Sequence, residues 1–299
     1  MEGFRRIATL PTLRRKRRVA PTDAHAMPTT AEKRLADHLL ECSDRARLIT
    51  DEFREPGLTM DAAERIQHAI RERRINRGEQ PVGYKIGFTN RRIWPIYGVS
   101  SPIWGPIYAG GIERLDAPRV RLDADHYPEP RLEPEIVLGI SHVPADDDPA
   151  AIAEAIGWIA HGVEVVQSVY PGWRFSAAES MASQAMHGTL HIGPVLAPGD
   201  PATLADRLAA LTVTLERREA DDGAWTLVAE GVGADVLDGP VAALAHLVRK
   251  LRERGQRLAA GDIVSTGTLV DAQPMVAGQR WRTRLQGAAG LDGLAIDII

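Results

Sequence analysis

Short runs rich in β-branched residues, each bounded by glycine or proline, dominate the chain after Pro81. Runs of this kind are typical of β-strands. They do not alternate with helices in the rhythm of a parallel βαβ fold, so the sequence predicts an α+β fold with a mostly antiparallel or mixed sheet. The predicted strands are GYKIGFT, RLEPEIVLGI, GVEVVQSVY, TLHIGPVLA, LTVTLERRE, TLVAEG and IVSTGTLV. Segments 211–218 and 225–230 flank Asp221-Asp222-Gly223, which predicts a hairpin.

Helical patterns are fewer and concentrate before this region. Residues 31–48 carry leucines near helical spacing after a possible cap at Thr29 or Thr30, and residues 59–77 form a second amphipathic pattern that ends at Gly78. Further helices are predicted at 149–161, 202–210 and 240–254. The chain therefore divides into an Arg-rich extension at 1–30, a helical region at 31–80 and a catalytic domain at 81–299.

The composition favours an intracellular globular protein. The 299 residues carry a net charge of -4, which gives no reason to expect nucleic acid as a partner. Cys42 is the only cysteine, and no apolar run is long enough to span a membrane, so we expect a cytoplasmic protein without disulfides. The Arg-rich start lacks the apolar segment of a secretory signal. A transit peptide is one interpretation, but we expect either a disordered extension upstream of Met27 or a start codon placed too early.

Two glutamates stand two residues apart in the predicted strand RLEPEIVLGI. Alternate residues of a strand share a face, so Glu133 and Glu135 project together. Two like charges in an otherwise apolar strand repel each other, and a divalent cation removes that penalty. A solvent-facing pair on an edge strand is the alternative. Oxygen ligands indicate Mg²⁺, Mn²⁺ or Ca²⁺ rather than Zn²⁺, and we expect Mg²⁺.

Other candidate residues lie in neighbouring predicted strands. Glu164 interrupts a run of valines, where a glutamate is usually paired or ligating, although a surface position is the alternative. Lys85 lies between Gly83 and Gly87, and a lysine there could bind a carboxylate or move a proton. The loop Ser265–Leu269 could present N–H and O–H groups to an anion. His187 is a candidate acid or base, but a lone histidine is more often structural.

Other enzyme classes lack support. The sequence contains no GxSxG, no HExxH, no Walker A loop and no GxGxxG before a helix. A serine hydrolase, a P-loop enzyme and a Rossmann dehydrogenase are therefore disfavoured.

Seven ordered blocks resemble the fumarylacetoacetate hydrolase superfamily, and most closely its 2-keto-4-pentenoate hydratase and 4-oxalocrotonate decarboxylase branch. The blocks are GYKIGFTN (83–90), YGVSSPIWGPIY (97–108), EPRLEPEIVLGI (129–140), GVEVVQSVYPGW (162–173), MHGTLHIGP (186–194), PVAALAHLVRKLRERGQRLAAGDIVSTGTLV (240–270) and PMVAGQRWRTRLQGAAGLDGLAIDI (274–298). The resemblance runs from about residue 31 to the C-terminus. It implies a mixed β-sheet roll or sandwich with a helical N-terminal lead-in.

The resemblance also implies a site. Glu133, Glu135 and Glu164 match the family's metal ligands, and Lys85 matches a lysine that lines the substrate pocket. The metal would chelate a small 2-keto acid and stabilise its enolate. The sequence departs from the family around the third ligand, where Gln167 replaces an aspartate, and again near Gln184. The further site residues that we expect are His187 and Gln167 for catalysis, and Ser168, Gln184 and Thr268 beside Lys85 for substrate binding.

These implications favour a Mg²⁺-dependent hydratase acting on a small 2-keto or 2-hydroxydienoate acid, as in aromatic meta-cleavage catabolism. A 2-oxo-acid decarboxylase, an acylpyruvate-type C–C hydrolase and a tautomerase are alternatives on the same fold. A non-catalytic partner subunit is another, since the family's decarboxylase and hydratase associate. We expect a homo-oligomer, with a pathway decarboxylase or hydratase as a possible associate.

Overall fold

The computed structural model describes residues 27–219, 223–287 and 290–299. Within them the chain forms seven α-helices and thirteen strands. The helices are α1 (Thr30–Asp44), α2 (Met60–Asn76), α3 (Trp94–Tyr97), α4 (Pro149–Ala155), α5 (Ala177–Ala182), α6 (Pro201–Ala209) and α7 (Pro240–Glu253). The strands are β1 (Pro81–Gly87), β2 (Ile103–Tyr108), β3 (Ile112–Arg114), β4 (Arg119–Leu122), β5 (Arg131–Ile140), β6 (Ile156–Val166), β7 (His187–Ile192), β8 (Thr212–Arg218), β9 (Thr226–Val232), β10 (Ile263–Thr268), β11 (Gln273–Pro274), β12 (Arg280–Gln286) and β13 (Ala295–Ile298).

Two sheets form the framework. The larger has eight strands in the order β2-β1-β10-β5-β6-β7-β3, with β11 also paired to β5. The smaller has five strands in the order β4-β13-β12-β8-β9. Antiparallel pairs predominate, while β1–β10, β3–β7 and β4–β13 are parallel. The α+β fold with mixed sheets that the sequence predicts is confirmed.

The N-terminal helices begin where the sequence indicates. Thr29 caps α1 and forms a reciprocal capping box with Glu32, which decides between the two candidate threonines. Thr59 caps α2, which ends at Asn76, just before Gly78 with its positive φ of 99°. Apolar residues of both helices join the same large core as β5 and β6. No helix among the described residues is long and apolar enough to cross a membrane.

Strand β6 corrects one prediction. The sequence suggests a helix over 149–161, but α4 ends at Ala155 and the chain continues directly into β6. This strand pairs with β5 from Ile156 to Val166. The long ladder, and the β-branched Ile156 and Ile159 within it, prevail over the local helical pattern.

Two further predictions have different outcomes. β8 and β9 form the predicted antiparallel hairpin, although its turn residues Asp221 and Asp222 lie outside the described residues. Residues 1–26 of the predicted N-terminal extension also lie outside them. The segment at 265–268 is not a loop but belongs to β10, which pairs with both β1 and β5. This pairing places the hydroxyls and glycine of the segment inside the sheet, beside the site described next.

Candidate metal centre

A cavity of about 270 Å³ lies over one end of the larger sheet. Its floor includes Lys85 on β1 and Glu133 on β5, and aromatic side chains form much of its wall. A depression of about 510 Å³ beside β12 shares no lining residue with this cavity and contains none of the predicted site residues. The smaller cavity is therefore the candidate site.

Three glutamates meet below this floor, and Glu133 is the one that lines the cavity. Glu133 lies directly opposite Glu164 in the β5–β6 ladder, and Glu135 follows Glu133 on the same face of β5. One carboxylate oxygen from each of the three lies within 4.8 Å of the others. Glu135 and Glu164 are fully buried, and Glu133 is partly exposed beside the cavity. The structure therefore brings together the three residues predicted as ligands.

Each of the two buried carboxylates has one oxygen bound by the protein. Glu135 Oε2 accepts hydrogen bonds from the Ser265 hydroxyl and from the Gly267 N–H at 3.0 Å. Glu164 Oε1 lies 2.8 Å from His187 Nδ1 and 3.3 Å from Lys85 Nζ.

Their second oxygens fit a metal ion. Glu135 Oε1 and Glu164 Oε2 are buried and have no hydrogen-bond partner within the described part of the chain. Unpaired buried carboxylate oxygens are costly, and a hard divalent cation satisfies them. The donor set thus fits a divalent metal ion.

The electrostatics of the site lead to the same conclusion. Burial, followed by the charges of Glu135 and Glu164, raises the pKa of Glu133 to about 8 despite the opposing effect of Lys85. Burial and Glu164 raise the pKa of Glu135 well above its usual value. One lysine does not balance three carboxylates in this space. The remaining negative charge requires either bound protons or a cation.

Lys85 is held at the centre of the site. Its Nζ donates to the carbonyl of Ala185 at 3.0 Å, and its side chain is buried at the cavity floor. Burial alone would lower the pKa of Lys85, but Glu164, Glu133 and Glu135 together raise it. Gly83 allows this arrangement, because a Cβ there would overlap the Ile263 carbonyl of β10.

The turn that receives Lys85 has an unusual backbone. Gln184, Ala185 and Met186 all have positive φ values, of 59°, 52° and 63°. Non-glycine residues rarely adopt this region, and such strain concentrates at functional sites. Ala185 and Met186 line the cavity. No glycine or asparagine in the sequence signals this turn, so sequence reasoning missed it.

His187 and Gln167 lie behind the cavity rather than in it. His187 contacts Glu164, and burial together with the charges of Lys85 and Arg74 lowers the pKa of His187 to about 3. Gln167 Nε2 donates to Ser43 Oγ at 2.8 Å and to the His187 carbonyl at 3.2 Å. Neither side chain lines the cavity, and their catalytic roles stay predictions.

Of the predicted substrate-binding residues, some line the cavity and others do not. Thr268 lines the cavity beside Lys85. Ser168 instead closes a turn, because its hydroxyl donates to the Tyr170 carbonyl at 2.7 Å. Gln184 accepts from the Tyr108 hydroxyl and donates to the Gln67 carbonyl, both at 3.1 Å. The structure brings neither Ser168 nor Gln184 to the cavity.

Arg131 is a cavity residue that sequence reasoning missed. Its guanidinium lies 4.1 Å from the ring centroid of Trp173, and it has no hydrogen bond or ion pair with any described residue. The available signal was its position two residues before Glu133, on the same face of the strand. Tyr97, Trp173 and Phe175 line the cavity as well.

Known proteins resemble this chain in sequence and in fold. No family model matches the chain. A 4-oxalocrotonate decarboxylase from Pseudomonas sp. is 27% identical over 266 residues, which cover 86% of this chain and 95% of that protein. A 2-keto-4-pentenoate hydratase from Paraburkholderia xenovorans is 28% identical over 222 residues, covering 74% of this chain and 77% of that one.

Solved structures agree. The 4-oxalocrotonate decarboxylase from Pseudomonas putida G7, complexed with magnesium and adipate, matches with a TM-score of 0.79 at 26% identity. The match covers 92% of this chain and all of that one. The chain is therefore an enzyme whose fold resembles that of the fumarylacetoacetate hydrolase superfamily. Within that superfamily, its sequence resembles the branch of 2-keto-4-pentenoate hydratases and 4-oxalocrotonate decarboxylases.

Proposed function

We propose that this chain is a Mg²⁺-dependent hydro-lyase that hydrates a small 2-hydroxydienoate to a 4-hydroxy-2-keto acid, as in aromatic meta-cleavage catabolism. One observation carries the proposal: three clustered glutamates, two with unpaired buried oxygens, lie beside a buried lysine under a cavity that Lys85 and Glu133 line. The curated hydratases that the chain resembles support the substrate class.

The site residues divide the work. Glu133, Glu135 and Glu164 would hold Mg²⁺, and Mn²⁺ has the same ligand preference. When bound, the ion supplies Lewis acidity toward the carboxylate and 2-oxo oxygens of a keto acid, and so stabilises an enolate. Lys85 Nζ donates a hydrogen bond to the substrate carboxylate or carries a proton to the enolate carbon. Thr268 and the aromatic wall position the hydrocarbon chain and exclude water from it.

Hydration then needs two proton movements. The 2-hydroxyl proton leaves as C5 gains a proton, which gives a 2-oxo-3-enoate. Water adds to C4 and a proton adds to C3. The protonated Lys85 is the cavity's buried proton donor, since His187 and Gln167 lie outside the cavity lining.

Arg131 supports a second candidate, the decarboxylation of a 2-oxo dioate. An unpaired guanidinium at the cavity wall can bind a second carboxylate, which a 2-hydroxypentadienoate lacks. In that reaction the bond to the distal carboxylate breaks, CO₂ leaves, and the electron pair moves through the conjugated chain to the C2 oxygen. The decarboxylases that resemble the chain over 85–86% of its length support this candidate.

A ¹H NMR product assay tests the function and separates the candidates. With Mg²⁺ present, we expect a 2-hydroxydienoate to give a 4-hydroxy-2-keto acid, whereas a 2-oxo dioate would lose CO₂ if decarboxylation were the reaction. Glu135→Gln should abolish turnover, while Glu113→Gln, outside the cavity lining, should not. Full activity in excess EDTA would refute the metal-dependent mechanism.

We also propose a closed homo-oligomer in solution, the usual state of soluble enzymes. Association with a pathway decarboxylase or hydratase is part of the same proposal. Sedimentation of the chain alone, and then mixed with such an enzyme, measures both.

A further inference from the structure

A second, much smaller cavity lies directly behind the metal centre. Its volume is about 20 Å³. Aliphatic side chains line part of it, and its polar lining residues are Ser43, Arg74, Gln167, Ser183, Gln184 and His187. This volume exceeds the 10–15 Å³ or so that one water needs, and it leaves no room for a larger ligand.

Two buried side chains face this cavity with unpaired acceptor atoms. Gln167 Nε2 is identified by its donation to the His187 carbonyl, which leaves Oε1 as the free end of the amide. Gln167 Oε1 and His187 Nε2 are both buried, and neither has a hydrogen-bond partner among residues 27–219, 223–287 and 290–299. Gln167 is 8% exposed and His187 is 5% exposed.

The contact with Glu164 decides which histidine nitrogen carries the proton. A glutamate that ligates a metal ion is ionised and only accepts hydrogen bonds, so in the metal-bound site His187 Nδ1, at 2.8 Å from Glu164 Oε1, is the donor. In the neutral ring Nε2 is then an acceptor. No donor among the described residues that line the cavity, Arg74 and Ser183 included, is hydrogen-bonded to either acceptor. One water in a cavity of this size can donate one hydrogen to each.

We propose that His187 is a positioning residue for Glu164, and that a single water bridging His187 Nε2 and Gln167 Oε1 holds it in the Nδ1–H tautomer. This inference rests on the proposed metal function. His187 and Lys85 together occupy Glu164 Oε1, so that Oε2 stays free for the ion. Gln167 links the arrangement to Ser43 at the end of α1.

Manganese binding, followed by electron paramagnetic resonance on protein first stripped with a chelator, tests the positioning role. His187→Leu keeps the bulk of the side chain and removes the donor, so we expect Mn²⁺ affinity to fall 10- to 100-fold, the usual effect of losing a group that orients a metal ligand. His187→Asn places an amide N–H near the position of Nδ1, and we expect it to stay within about threefold of the unchanged protein.

The outcomes separate the two proposals. If the unchanged protein binds no Mn²⁺, the proposed metal function fails. If it binds Mn²⁺ and His187→Leu binds equally well, or His187→Asn is as weak as His187→Leu, the positioning role of His187 is refuted.

A measurement on the unchanged protein covers the case in which His187→Leu does not fold. A ¹⁵N–¹H correlation spectrum of the histidine rings should show His187 with protonated Nδ1 and unprotonated Nε2. Gln167→Leu removes one anchor of the water and should allow the ring to exchange between orientations, seen as broadening of that signal. A protonated Nε2 in the unchanged protein, or an unaffected signal in Gln167→Leu, would overturn the water bridge.

Discussion

Glu133 and Glu164 lie directly opposite each other on neighbouring antiparallel strands. Like charges in this position destabilise a sheet. In this protein Glu135, two residues along the same face, adds a third carboxylate, while Lys85 supplies one compensating charge. These carboxylates therefore bind either protons or a metal cation. Four predictions follow, from the competition between protons and the ion or from the residues around the site.

The first concerns proton release on metal binding. At pH 7 the metal-free Glu133 carboxyl, whose pKa is about 8, is mostly protonated, and burial together with the charge of Glu164 raises the pKa of Glu135 as well. Metal binding therefore expels on the order of one proton or more, and affinity rises with pH. Calorimetric titration with Mg²⁺ in two buffers of different ionisation enthalpy measures the number. Equal heats in both buffers would contradict the expected release.

The second concerns the stability of the metal-free protein. Glu133 has a higher pKa in the folded than in the unfolded chain, so the folded state binds more protons between about pH 4.5 and 8. The free energy of unfolding should therefore fall as pH rises through this window, by up to about 1.4 kcal/mol per pH unit for each such group. Buried histidines whose pKa is lowered, such as His161 at about 4, act in the opposite direction, but only below about pH 6.5.

Urea unfolding in EDTA from pH 7 to 8.5 isolates the effect of the carboxylates. Glu133→Gln should flatten the slope. Saturating Mg²⁺ should remove the pH dependence, and at a hundred times the Kd it should raise the free energy of unfolding by about 2.7 kcal/mol. A slope that persists unchanged with Mg²⁺ would show that these glutamates are not the source.

The third concerns Gly267, which has a φ of 111° and donates its N–H to Glu135. A Cβ at this position would overlap the Thr89 side chain, whereas Gly278, at a φ of 86°, has open space around it. Both alanine variants incur backbone strain of about 1–2 kcal/mol. The free energy of unfolding should fall by more than this strain only in Gly267→Ala, and only that variant should bind Mn²⁺ more weakly. Denaturant unfolding and Mn²⁺ titration compare the two, and equal behaviour would remove Gly267 from the site.

The fourth concerns Arg131. If it binds a second carboxylate, Arg131→Gln should weaken adipate binding about 10- to 100-fold, as expected for a charge-assisted hydrogen bond of about 1.5–3 kcal/mol. The affinity of the same variant for hexanoate, which has one carboxylate, should change less than threefold. Arg121→Gln, on the exposed surface of β4, serves as the control. Competition against substrate, or direct calorimetry, gives both constants. Equal losses for the two acids would remove the support for a dioate substrate.

The sequence predicted much of the site because its ligands obey simple rules. Alternation along β5 places Glu133 and Glu135 on one face, and a valine-rich strand with a single glutamate marks Glu164. The β8–β9 hairpin and the capped helices follow from equally local signals. The metal-binding role of the glutamates remains a prediction, although the structure brings them together.

The positions of the predicted site residues that do not line the cavity depend on non-local geometry. The β6–β7 register shifts between Val165 and Val166, so simple alternation cannot place Gln167 or Ser168. Gln184 lies in a left-handed turn that no local sequence signal announces. Strands β2, β12 and β13 were not predicted, because their short segments become strands only through their partners.

The division of each buried carboxylate into one held oxygen and one free oxygen bears on ion size. Glu135 cannot turn both oxygens to an ion without breaking its bonds to Ser265 and Gly267, and Glu164 is restrained by Lys85 and His187. The fold therefore limits how many oxygens the protein can offer. Calcium requires six to eight ligands and often uses bidentate carboxylates, whereas magnesium needs six at shorter distance. If Mg²⁺ is the ion, as proposed, this centre should bind it more tightly than Ca²⁺, because the two buried glutamates each offer a single free oxygen.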